Sequence, residues 1–451
     1  MAPAHPAQVK PAIEKVEDPA EDSGNEEEVK GSIPLAEAAK KKKKKSKKSS
    51  QQPGETVSNQ PVVEGHKFII PEQDNSVFRR VGNWKADSES LQSDPPKVVV
   101  SHSPIAEIQE YSNARRTPEF EAREVMLEDD LREIRKAAEV HRNVRKYAQS
   151  FIRPGMQMID ICKRLEAKTF ELVGTKPDWS NYLDCGYGFP TGCSLNHVAA
   201  HYTPNYGDKT ILTENDICKL DFGVHVNGRI VDSAFTIAFD PIFDPLIQAT
   251  QEATNAGIRA AGIDARFGDI GEVIQETIES FEFTDKTGKV IPIKPCRNLN
   301  GHSIELYRIH GGQSVPIVKK SDFANERMKE NTCYAIETFA STGKGYVIED
   351  GECSHYMKVF DAENIPLRMK GSKQLLQAID KQFSTLPFCR RWLDDIGQTR
   401  HLLNLKNLVD NGLVQDYPPL VDVKGSFTSH MEHTIFLRPT CKEVVSRGDD
   451  F

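Results

Sequence analysis

The segment from Asp216 to Phe239, DICKLDFGVHVNGRIVDSAFTIAF, contains two aspartates whose spacing could support metal chemistry. Apolar runs flank Asn227-Gly228, the strongest short-range signal for a two-residue type I′ hairpin, because both turn residues must adopt positive φ. In the register that this turn sets, Gly223 faces Asp232, and Asp221 shares the face of Gly223 because side chains alternate along a strand. We therefore expect Asp221 and Asp232 to be diagonal neighbours, about 7–8 Å apart at the backbone.

Carboxylates this close predict a cation site. They repel each other, so one stays protonated unless a cation lies between them, and two divalent ions roughly 3.5–4 Å apart would fit the gap. The alternative is an ordinary hairpin with solvent-facing aspartates, which are common. Against it, both aspartates interrupt apolar runs, KLDFGV and IVDSAF. The DFG triplet also occurs in protein kinases, but no HRD loop or glycine-rich phosphate loop accompanies it, which excludes that class.

Three residues in later predicted strands could complete a metal site. Hard oxygen donors bridge paired ions, and an imidazole usually completes the ligand set. The candidates are His302 in NLNGHS, Glu337 in YAIETF and Glu432 in HMEHTIFL. Taken singly, His302 could be a turn histidine, and the two glutamates could be half-exposed strand residues.

Composition indicates a soluble intracellular chain with a polar tail. The 451 residues are 38% hydrophobic, with a mean hydropathy of −0.51, which is low for a fully globular chain. Nine cysteines, an odd number without a CxxC pair, predict reduced thiols in the cytosol rather than a disulfide framework. We find no apolar signal at the N-terminus and no run near the roughly 20 residues of a membrane span, so we expect a cytoplasmic protein without membrane contact.

Residues 1 to about 95 predict a disordered extension. Acidic residues come first and the lysine-rich block Lys40–Lys48 follows, with few large apolar residues to offset the entropy of ordering. The block could bind RNA, the ribosome or a nuclear import receptor, or it could be a solubilising tail that pairs with the acidic run. The runs Phe68–Ile70 and Val98–Val100 are the first candidates for strand-like contacts.

Ordered structure is expected from near Arg116, with helices and strands mixed. Periodicity and capping signals predict helices over Thr117–Pro154, Met158–Leu172, Pro245–Ala261 and Ile270–Phe281. A helical subdomain is predicted over about residues 354–419, where two amphipathic leucine-rich stripes occur.

The remaining regions are read as loop and strands. The segment Cys185–Ser194, CGYGFPTGCS, has the composition of a glycine-rich loop and leads to a predicted strand over Asn196–His201. Glu432–Leu437 is predicted as the final strand. Further short strands are expected near Val290, Ile304, Val315, Tyr334 and Val347.

The five candidate residues occur in the order of the metal ligands of the pita-bread metallopeptidases. The sequence motifs around them closely resemble those of one group within that family. From about residue 110 to Phe451 the chain resembles the eukaryotic type-2 methionine aminopeptidases. The insert between Glu337 and Glu432 resembles the one that separates type 2 from type 1, and the polylysine extension is also similar. The matching words are FPTGCSLN, AAHYTPN, ICKLDFG, GRIVDSAF, NLNGHSIELYRIHGG, AIETFASTGKG, ECSHYM, FCRRWLD, YPP and KEVVSRGDDF.

This resemblance implies an α+β protein with the pita-bread (creatinase/aminopeptidase) fold. Residues 96–451 would form the metallopeptidase domain, with the helical insert at about 354–419, and residues 1–95 the disordered extension. The implied activity is that of a metal-dependent aminopeptidase that removes the initiator methionine from nascent chains when the second residue is small. Its partners would be nascent polypeptide N-termini in the cytoplasm, with the ribosome or RNA as candidates for Lys40–Lys48, and we expect a monomer.

The resemblance also implies a metal centre. Asp221, Asp232 and Glu432 would hold and bridge two divalent ions, while His302 and Glu337 bind one of them. Co, Zn, Mn and Fe(II) all suit such a ligand set. The ions lower the pKa of a bridging water and polarise the scissile carbonyl. Glu337 would take the proton of the water and hand it to the leaving amine.

The same resemblance assigns a substrate site. His201 in AAHYTPN and His310 in YRIHGG match two histidines that would stabilise charge on the tetrahedral intermediate. The residues that match the surroundings of the methionine pocket are Phe189, Ile309, His355 and Tyr417.

Two alternative functions are compatible with the same predicted fold. A proline-specific aminopeptidase of the same fold shares the two aspartates, the histidine and the two glutamates, but typically carries an additional N-terminal domain, which the polar extension does not resemble. A catalytically inactive pita-bread protein that binds RNA or the ribosome would have lost metal ligands, whereas this chain keeps all five.

Overall fold

The computed structural model describes residues 107–111, 117–175, 179–323, 325–363 and 365–451. The predicted extension of residues 1–95, its block Lys40–Lys48, and the runs Phe68–Ile70 and Val98–Val100 lie outside these residues.

Helices and strands are mixed along the described chain, as predicted for an α+β protein. The α-helices are α1 (Pro118–Met126), α2 (Glu128–Phe151), α3 (Met158–Val173), α4 (Asp244–Ala260), α5 (Phe267–Glu279), α6 (Lys370–Gln382), α7 (Arg390–Asp395) and α8 (Leu402–Asp410), with short 3-10 turns at Pro241–Phe243 and Ser321–Phe323.

The strands run from the first described residues to the C-terminus. They are β1 (Glu107–Glu110), β2 (Cys185–Leu195), β3 (Val198–Ala200), β4 (Ile217–Val226), β5 (Arg229–Ala238), β6 (Glu282–Thr284), β7 (Val290–Pro292), β8 (Lys294–Pro295), β9 (Asn300–Ile304), β10 (Ser314–Pro316), β11 (Thr332–Ser341), β12 (Ile348–Glu349), β13 (His355–Lys358), β14 (Phe388–Cys389), β15 (Val414–Tyr417), β16 (Leu420–Val421), β17 (Thr428–Leu437) and β18 (Cys441–Val444).

Two antiparallel sheets position the candidate site. The larger has the strand order β1-β18-β17-β11-β9-β10, with β8 also paired to β11, and the smaller has the order β2-β4-β5. The predicted hairpin joins β4 to β5 in the predicted register, with Gly223 opposite Asp232 and Val226 opposite Arg229. Asn227 and Gly228 have φ values of 48° and 79°, as a type I′ turn requires.

Hydroxyl side chains join the two sheets where β5 lies beside β17. Ser233 Oγ donates to the Glu432 carbonyl over 2.7 Å, and Thr236 Oγ1 donates to the His430 carbonyl over 2.7 Å. Thr434 Oγ1 donates to the Asp232 carbonyl over 2.7 Å. These bonds take the place of a main-chain ladder, so that buried carbonyls of β5 and β17 are satisfied.

The helix predictions are confirmed for α3, α4 and α5 within a few residues at each end. The single helix predicted over Thr117–Pro154 is wrong, because α1 and α2 are separate helices. At the break, the N–H of Leu127 bonds to the Glu124 carbonyl three residues back. Acidic residues then begin α2, at an N-terminus where the helix dipole favours negative charge.

The glycine-rich loop predicted at Cys185–Ser194 is instead the strand β2, which pairs with β4. Its glycines permit close packing rather than chain reversal. A Cβ added at Gly188 would lie 2.7 Å from Ile230 Cγ2, and one added at Gly223 would lie 2.5 Å from Phe189 Cε1. Close approach inside a sheet therefore explains this composition.

Three strand boundaries also differ from prediction. The expected start near Arg116 is too late, because β1 already pairs with β18. The strand predicted over Asn196–His201 is limited to β3. Glu432–Leu437 belongs to the longer β17 and is not final, since β18 follows and pairs with it. β1 and β18 are strands because they pair with strands distant in sequence, and the local sequence pattern contains no information about such pairing.

Residues 354–419 contain the predicted helices and a small sheet in addition. Helices α6, α7 and α8 lie here together with the three-stranded sheet β14-β13-β15. Arg391 of α7 forms a buried ion pair with Glu166 of α3, with Nη1 and Oε2 2.6 Å apart. Trp392 Nε1 donates to the same carboxylate over 3.0 Å. The insert is thereby tied to the rest of the described chain, and its standing as a subdomain stays a prediction.

Within the described ranges, every helix is too short or too polar to cross a membrane. All nine cysteines are described, and each is a free thiol.

Candidate metal centre

The hairpin places both aspartates on one face of the smaller sheet. Asp221 pairs with Ala234, and Gly223 pairs with Asp232, so the two carboxylates are diagonal neighbours. Asp232 is 3% exposed. Asp221 Oδ1 and Asp232 Oδ1 are buried and find no hydrogen-bond partner within the described chain. The predicted surface alternative is therefore wrong for Asp232.

The larger sheet supplies the other three candidates from adjacent strands. Glu337 of β11 lies directly opposite Glu432 of β17, and His302 of β9 lies opposite Ala335 of β11. Since Ala335 and Glu337 are two residues apart, His302 shares the face of both glutamates. Glu337 and Glu432 are 9% and 1% exposed.

The two sheets bring together the donors of Asp232, His302, Glu337 and Glu432, and Asp221 lies near enough for its charge to raise the pKa of Asp232. His302 Nε2 lies 3.6 Å from Asp232 Oδ2 and 3.6 Å from Glu337 Oε1. Donor atoms of Asp232, His302 and Glu432 all fall within 4.8 Å of one another. His302 Nδ1 lies 3.3 Å from the Ser303 carbonyl. With the proton on Nδ1, the lone pair of Nε2 faces the carboxylates and is free to bind an ion.

The electrostatics of this cluster favour the binding of a cation. Burial raises the pKa of Asp221, Asp232, Glu337 and Glu432 above the ordinary carboxyl range. Repulsion between neighbouring carboxylates raises the pKa of Asp232 and of Glu432 further. Burial, followed by the neighbouring His310, lowers the pKa of His302 to about 3, so its ring is neutral and suited to metal binding. A cation among the carboxylates would relieve their repulsion.

Sequence reasoning missed His430, which lies in the same cluster. Donor atoms of Glu337, His430 and Glu432 also fall within 4.8 Å of one another. The signal was present in the word HMEHTIFL, because His430 stands two residues before Glu432 and alternation puts both on one face.

The two histidines assigned to the substrate site lie in a chain of aromatic rings that starts at His302. Its centroid is 4.6 Å from that of His310, which is 6.0 Å from Tyr417. Tyr417 is 5.6 Å from His201, edge to face, and His201 is 6.1 Å from His355. The structure therefore brings together four of the predicted substrate-site residues beside the metal candidates.

The insert supplies part of this aromatic chain, since His355 of β13 and Tyr417 of β15 are paired residues. His201 follows β3 with φ of 64°, an uncommon conformation for a residue with a side chain. Its partial burial and the neighbouring His355 and His310 lower its pKa to about 3, so the ring is neutral. Backbone strain of this kind persists where the surrounding structure enforces it, and it is concentrated at active sites and ligand-binding sites.

The last two pocket predictions lie at the edges of the cluster. The ring of Phe189 packs over Gly223, which pairs with Asp232 and follows Asp221 by two residues. Ile309 is buried and precedes His310.

Comparisons with known proteins identify the family of this chain. Residues 132–357 match the model of metallopeptidase family M24. The chain is 54% identical over 372 residues to methionine aminopeptidase 2-1 of Neosartorya fischeri, covering 80% of this chain and 83% of that protein. It is 52% identical over 370 residues to methionine aminopeptidase 2A of Arabidopsis thaliana, covering 80% and 82%.

Among solved structures, a thermophilic Arx1 matches with a TM-score of 0.59 at 18% identity, covering 70% of this chain and 90% of that one. At this identity the match shows the fold alone. Together these findings confirm the predicted pita-bread fold and the predicted resemblance. The chain belongs to metallopeptidase family M24 and, within it, to the type-2 methionine aminopeptidases.

Proposed function

We propose that this chain removes the initiator methionine from nascent proteins whose second residue is small. The observation that carries the proposal is the convergence of three buried carboxyls, those of Asp232, Glu337 and Glu432, on the neutral ring of His302, in a chain so similar to methionine aminopeptidases. The two alternatives have less support, because the relatives that are 54% and 52% identical to this chain are methionine aminopeptidases rather than proline-specific or inactive proteins.

The five predicted ligands fit a pair of divalent ions. Asp221, Asp232, His302, Glu337 and Glu432 would hold them. The fit rests on the unpartnered Oδ1 atoms of both aspartates and on the clustered donor atoms. Co, Zn, Mn and Fe(II) all suit these oxygen and nitrogen donors. When bound, such ions lower the pKa of water and polarise a carbonyl.

Glu337 would move the proton in this reaction. Its carboxylate is buried at the centre of the cluster, with Oε1 facing His302 and Oε2 facing His430. Burial raises its pKa, which makes it a stronger base than an exposed glutamate. Glu337 accepts a proton from the attacking water and delivers it to the amine that leaves.

His201 and His310 act on the substrate from the aromatic side of the cluster. The neutral ring of His201 can donate its N–H to the oxygen that gains negative charge as water adds to the carbonyl. His310 lies against His302, where it can hold the peptide beside the metal candidates. Phe189, Ile309, His355 and Tyr417 would enclose the methionine side chain.

Peptide hydrolysis tests the proposed activity. Met-Ala-Ser, Met-Leu-Ser and Ala-Pro peptides are incubated with the metal-free protein after loading with Co, Zn, Mn or Fe(II). The proposal expects release of methionine from Met-Ala-Ser and little from Met-Leu-Ser. Cleavage of the Ala-Pro peptide alone would favour a proline-specific enzyme. Hydrolysis of none, with any metal, would favour an inactive binding protein.

The cellular setting follows from this activity. A chain that trims nascent proteins acts in the cytoplasm and meets its substrates as they leave the ribosome. The block Lys40–Lys48 carries positive charge suited to ribosomal RNA, which supports a role in bringing the enzyme to its substrates. We propose that the catalytic chain works as a monomer, since the predicted ligands all come from one chain.

A further inference from the structure

His430 occupies a fixed place beside the predicted ligands. It lies opposite Phe339 in the pairing of β17 with β11, two pairs along from Glu432 and Glu337 and so on the same face of the sheet. Its ring stacks on that of Phe339, with centroids 3.8 Å apart and planes 16° apart. The backbone of His430 is held on both sides by Thr236 Oγ1, which accepts from its N–H over 2.9 Å and donates to its carbonyl over 2.7 Å.

Among the described residues, the ring nitrogens of His430 have no hydrogen-bond partner that would explain their burial. His430 is 1% exposed, and neither Nδ1 nor Nε2 makes a hydrogen bond with any described residue. An unsatisfied buried donor or acceptor costs on the order of 1–3 kcal/mol. A ring fixed this firmly, with both nitrogens unpaired, needs a further partner.

The distances from Nε2 point to what that partner is. Nε2 lies 3.2 Å from Glu337 Oε2 and 3.8 Å from Glu432 Oε2, yet the geometry does not make a hydrogen bond. Ligand atoms about 2.0–2.1 Å from one ion are themselves roughly 2.9–3.4 Å apart in tetrahedral or octahedral arrangements. The separation of Nε2 from Glu337 matches that spacing, and the separation from Glu432 is slightly wider.

Glu337 thus stands between two imidazoles. Its Oε1 faces His302 Nε2 at 3.6 Å, and its Oε2 faces His430 Nε2 at 3.2 Å. We propose that His430 Nε2 is a second imidazole donor to the metal centre, across Glu337 from His302. This proposal rests on the metal centre proposed above and adds a ligand to it. A second nitrogen donor favours Zn, Co or Fe(II) over Mn or Mg, which prefer oxygen.

The number of bound imidazoles is measured directly by X-ray absorption at the zinc edge, because coordinated imidazole rings give characteristic outer-shell scattering. The sample is the full-length protein, loaded with zinc after removal of metal. We expect two imidazoles per protein. A single imidazole in the unmodified protein would overturn the proposal, and this outcome does not depend on any variant folding.

His430→Gln separates metal binding from a mere hydrogen-bonding role. The glutamine amide could donate a hydrogen bond to Glu337, but it offers no imidazole. We expect the count to fall to one and zinc affinity, measured by competition with a chelating dye, to weaken at least 10- to 100-fold. Unchanged affinity would contradict the proposal. His430→Phe provides a second comparison. If His430→Phe lowered zinc affinity while His430→Gln did not, His430 would only position Glu337, and this result would also overturn the proposal.

Two more variants provide controls. His433 lies on the same strand with its ring on the other face, bonded to Ser446 and Arg447, so His433→Gln is expected to keep both imidazoles and the zinc affinity. Asp232→Asn tests the centre itself. If Asp232→Asn left zinc affinity unchanged, the proposed metal centre would be wrong. If Asp232→Asn lowered zinc affinity but His430→Gln did not, only the assignment of His430 as a ligand would be wrong.

Discussion

Thr434 holds the backbone of Asp232 on both sides. Its Oγ1 accepts from the Asp232 N–H over 2.8 Å and donates to the Asp232 carbonyl over 2.7 Å. Thr236 and His430 repeat this arrangement further along the same two strands. One hydroxyl therefore ties a predicted ligand of the smaller sheet to the strand of the larger sheet that carries Glu432. The spacing between ligands from the two sheets depends on such bonds.

Replacing this hydroxyl should loosen both the fold and the metal centre. Thr434→Val keeps the shape of the side chain but leaves the N–H and carbonyl of Asp232 unpaired in a buried place. We expect the free energy of unfolding, measured in urea, to fall by about 1–3 kcal/mol. Metal affinity should weaken as well, because Asp232 is less well positioned. Thr434→Ser keeps the hydroxyl and should do neither; equal effects of both variants would contradict the explanation.

Asp232→Asn should separate repulsion from metal binding. The amide removes one ionisable carboxyl from a cluster in which burial, and then repulsion between carboxylates, raises the pKa of Asp232. We therefore expect the metal-free variant to be more stable than the metal-free parent at neutral pH. With metal the order should reverse, because only the parent gains the stabilisation of about 2.7 kcal/mol expected at one hundred times the dissociation constant.

Thermal unfolding with and without metal, together with metal analysis and peptide turnover, measures these effects. Turnover by Asp232→Asn should be lost. The control is Asp322→Asn, at an exposed position of a 3-10 turn, which should behave as the parent does. Near-normal turnover by Asp232→Asn would show that this residue is not a ligand.

The parts of the site that could be predicted from sequence are those that local chemistry determines. Asn227-Gly228 demands one turn type, that turn sets one register, and the register puts Asp221 and Asp232 on one face. His430 needed more. Alternation alone places it beside Glu432, but its stacking on Phe339 depends on pairing between strands almost a hundred residues apart. A histidine two residues from a ligand is also too common a pattern to single out.

The glycine-rich strand shows the opposite error. In β2, glycine composition resembles that of a loop, because a loop and a close approach between strands both need a residue without a Cβ. Which of the two applies depends on Phe189 and Ile230, whose contacts are made only in the folded sheet. The same holds for the sheet of the insert, where His355 and Tyr417 meet across strands separated by the helices α6 to α8.

His201→Ala tests the substrate-site assignment. The five predicted ligands and His430 supply enough donors for two ions, and yet another donor, at His201, would close the place that water needs. The variant should therefore keep its metal but lose about 10²–10³ in kcat, the scale of one lost oxyanion donor. Metal analysis and steady-state kinetics measure the two quantities.

The backbone at His201 calls for a second variant. Its φ of 64° is tolerated better by asparagine than by alanine. His201→Asn should therefore lose kcat to a similar extent while remaining as stable as the parent. If either variant bound one ion fewer at saturation, His201 would be a ligand instead.

Deleting residues 1–95 tests the proposed role of the extension. Because the predicted catalytic residues all lie in the described part of the chain, hydrolysis of Met-Ala-Ser should be unchanged. Co-sedimentation with ribosomes should fall, and binding by the full-length chain should weaken as salt rises, since it depends on charge. A full-length variant with the lysines of Lys40–Lys48 replaced by glutamine should match the deletion. Undiminished co-sedimentation of the shortened chain would rule out tethering.

Buried neutral histidines outside the predicted ligand set should make the protein sensitive to acid. His141 is fully buried, stacks on Phe222 with centroids 4.1 Å apart, and has Nε2 2.7 Å from the Phe222 carbonyl. Burial, followed by the charge of Arg145, lowers its pKa to about 3. Between the ordinary value near 6.5 and pH 3, the unfolded chain binds a proton that the folded chain refuses. Stability must therefore fall as the pH is lowered through this window.

His141→Gln should reduce that dependence on pH. One refused proton changes the free energy of unfolding by about 1.4 kcal/mol per pH unit, so the slope between pH 6 and pH 4 should become shallower by up to that amount. Guanidinium unfolding of the metal-free proteins at several pH values measures it, and the carboxyl cluster cancels because both proteins contain it. His225, whose pKa burial lowers to about 4, offers an independent case, and His225→Gln should act in the same direction over a narrower window. Parallel pH curves for the parent and both variants would show that these histidines do not set the acid sensitivity.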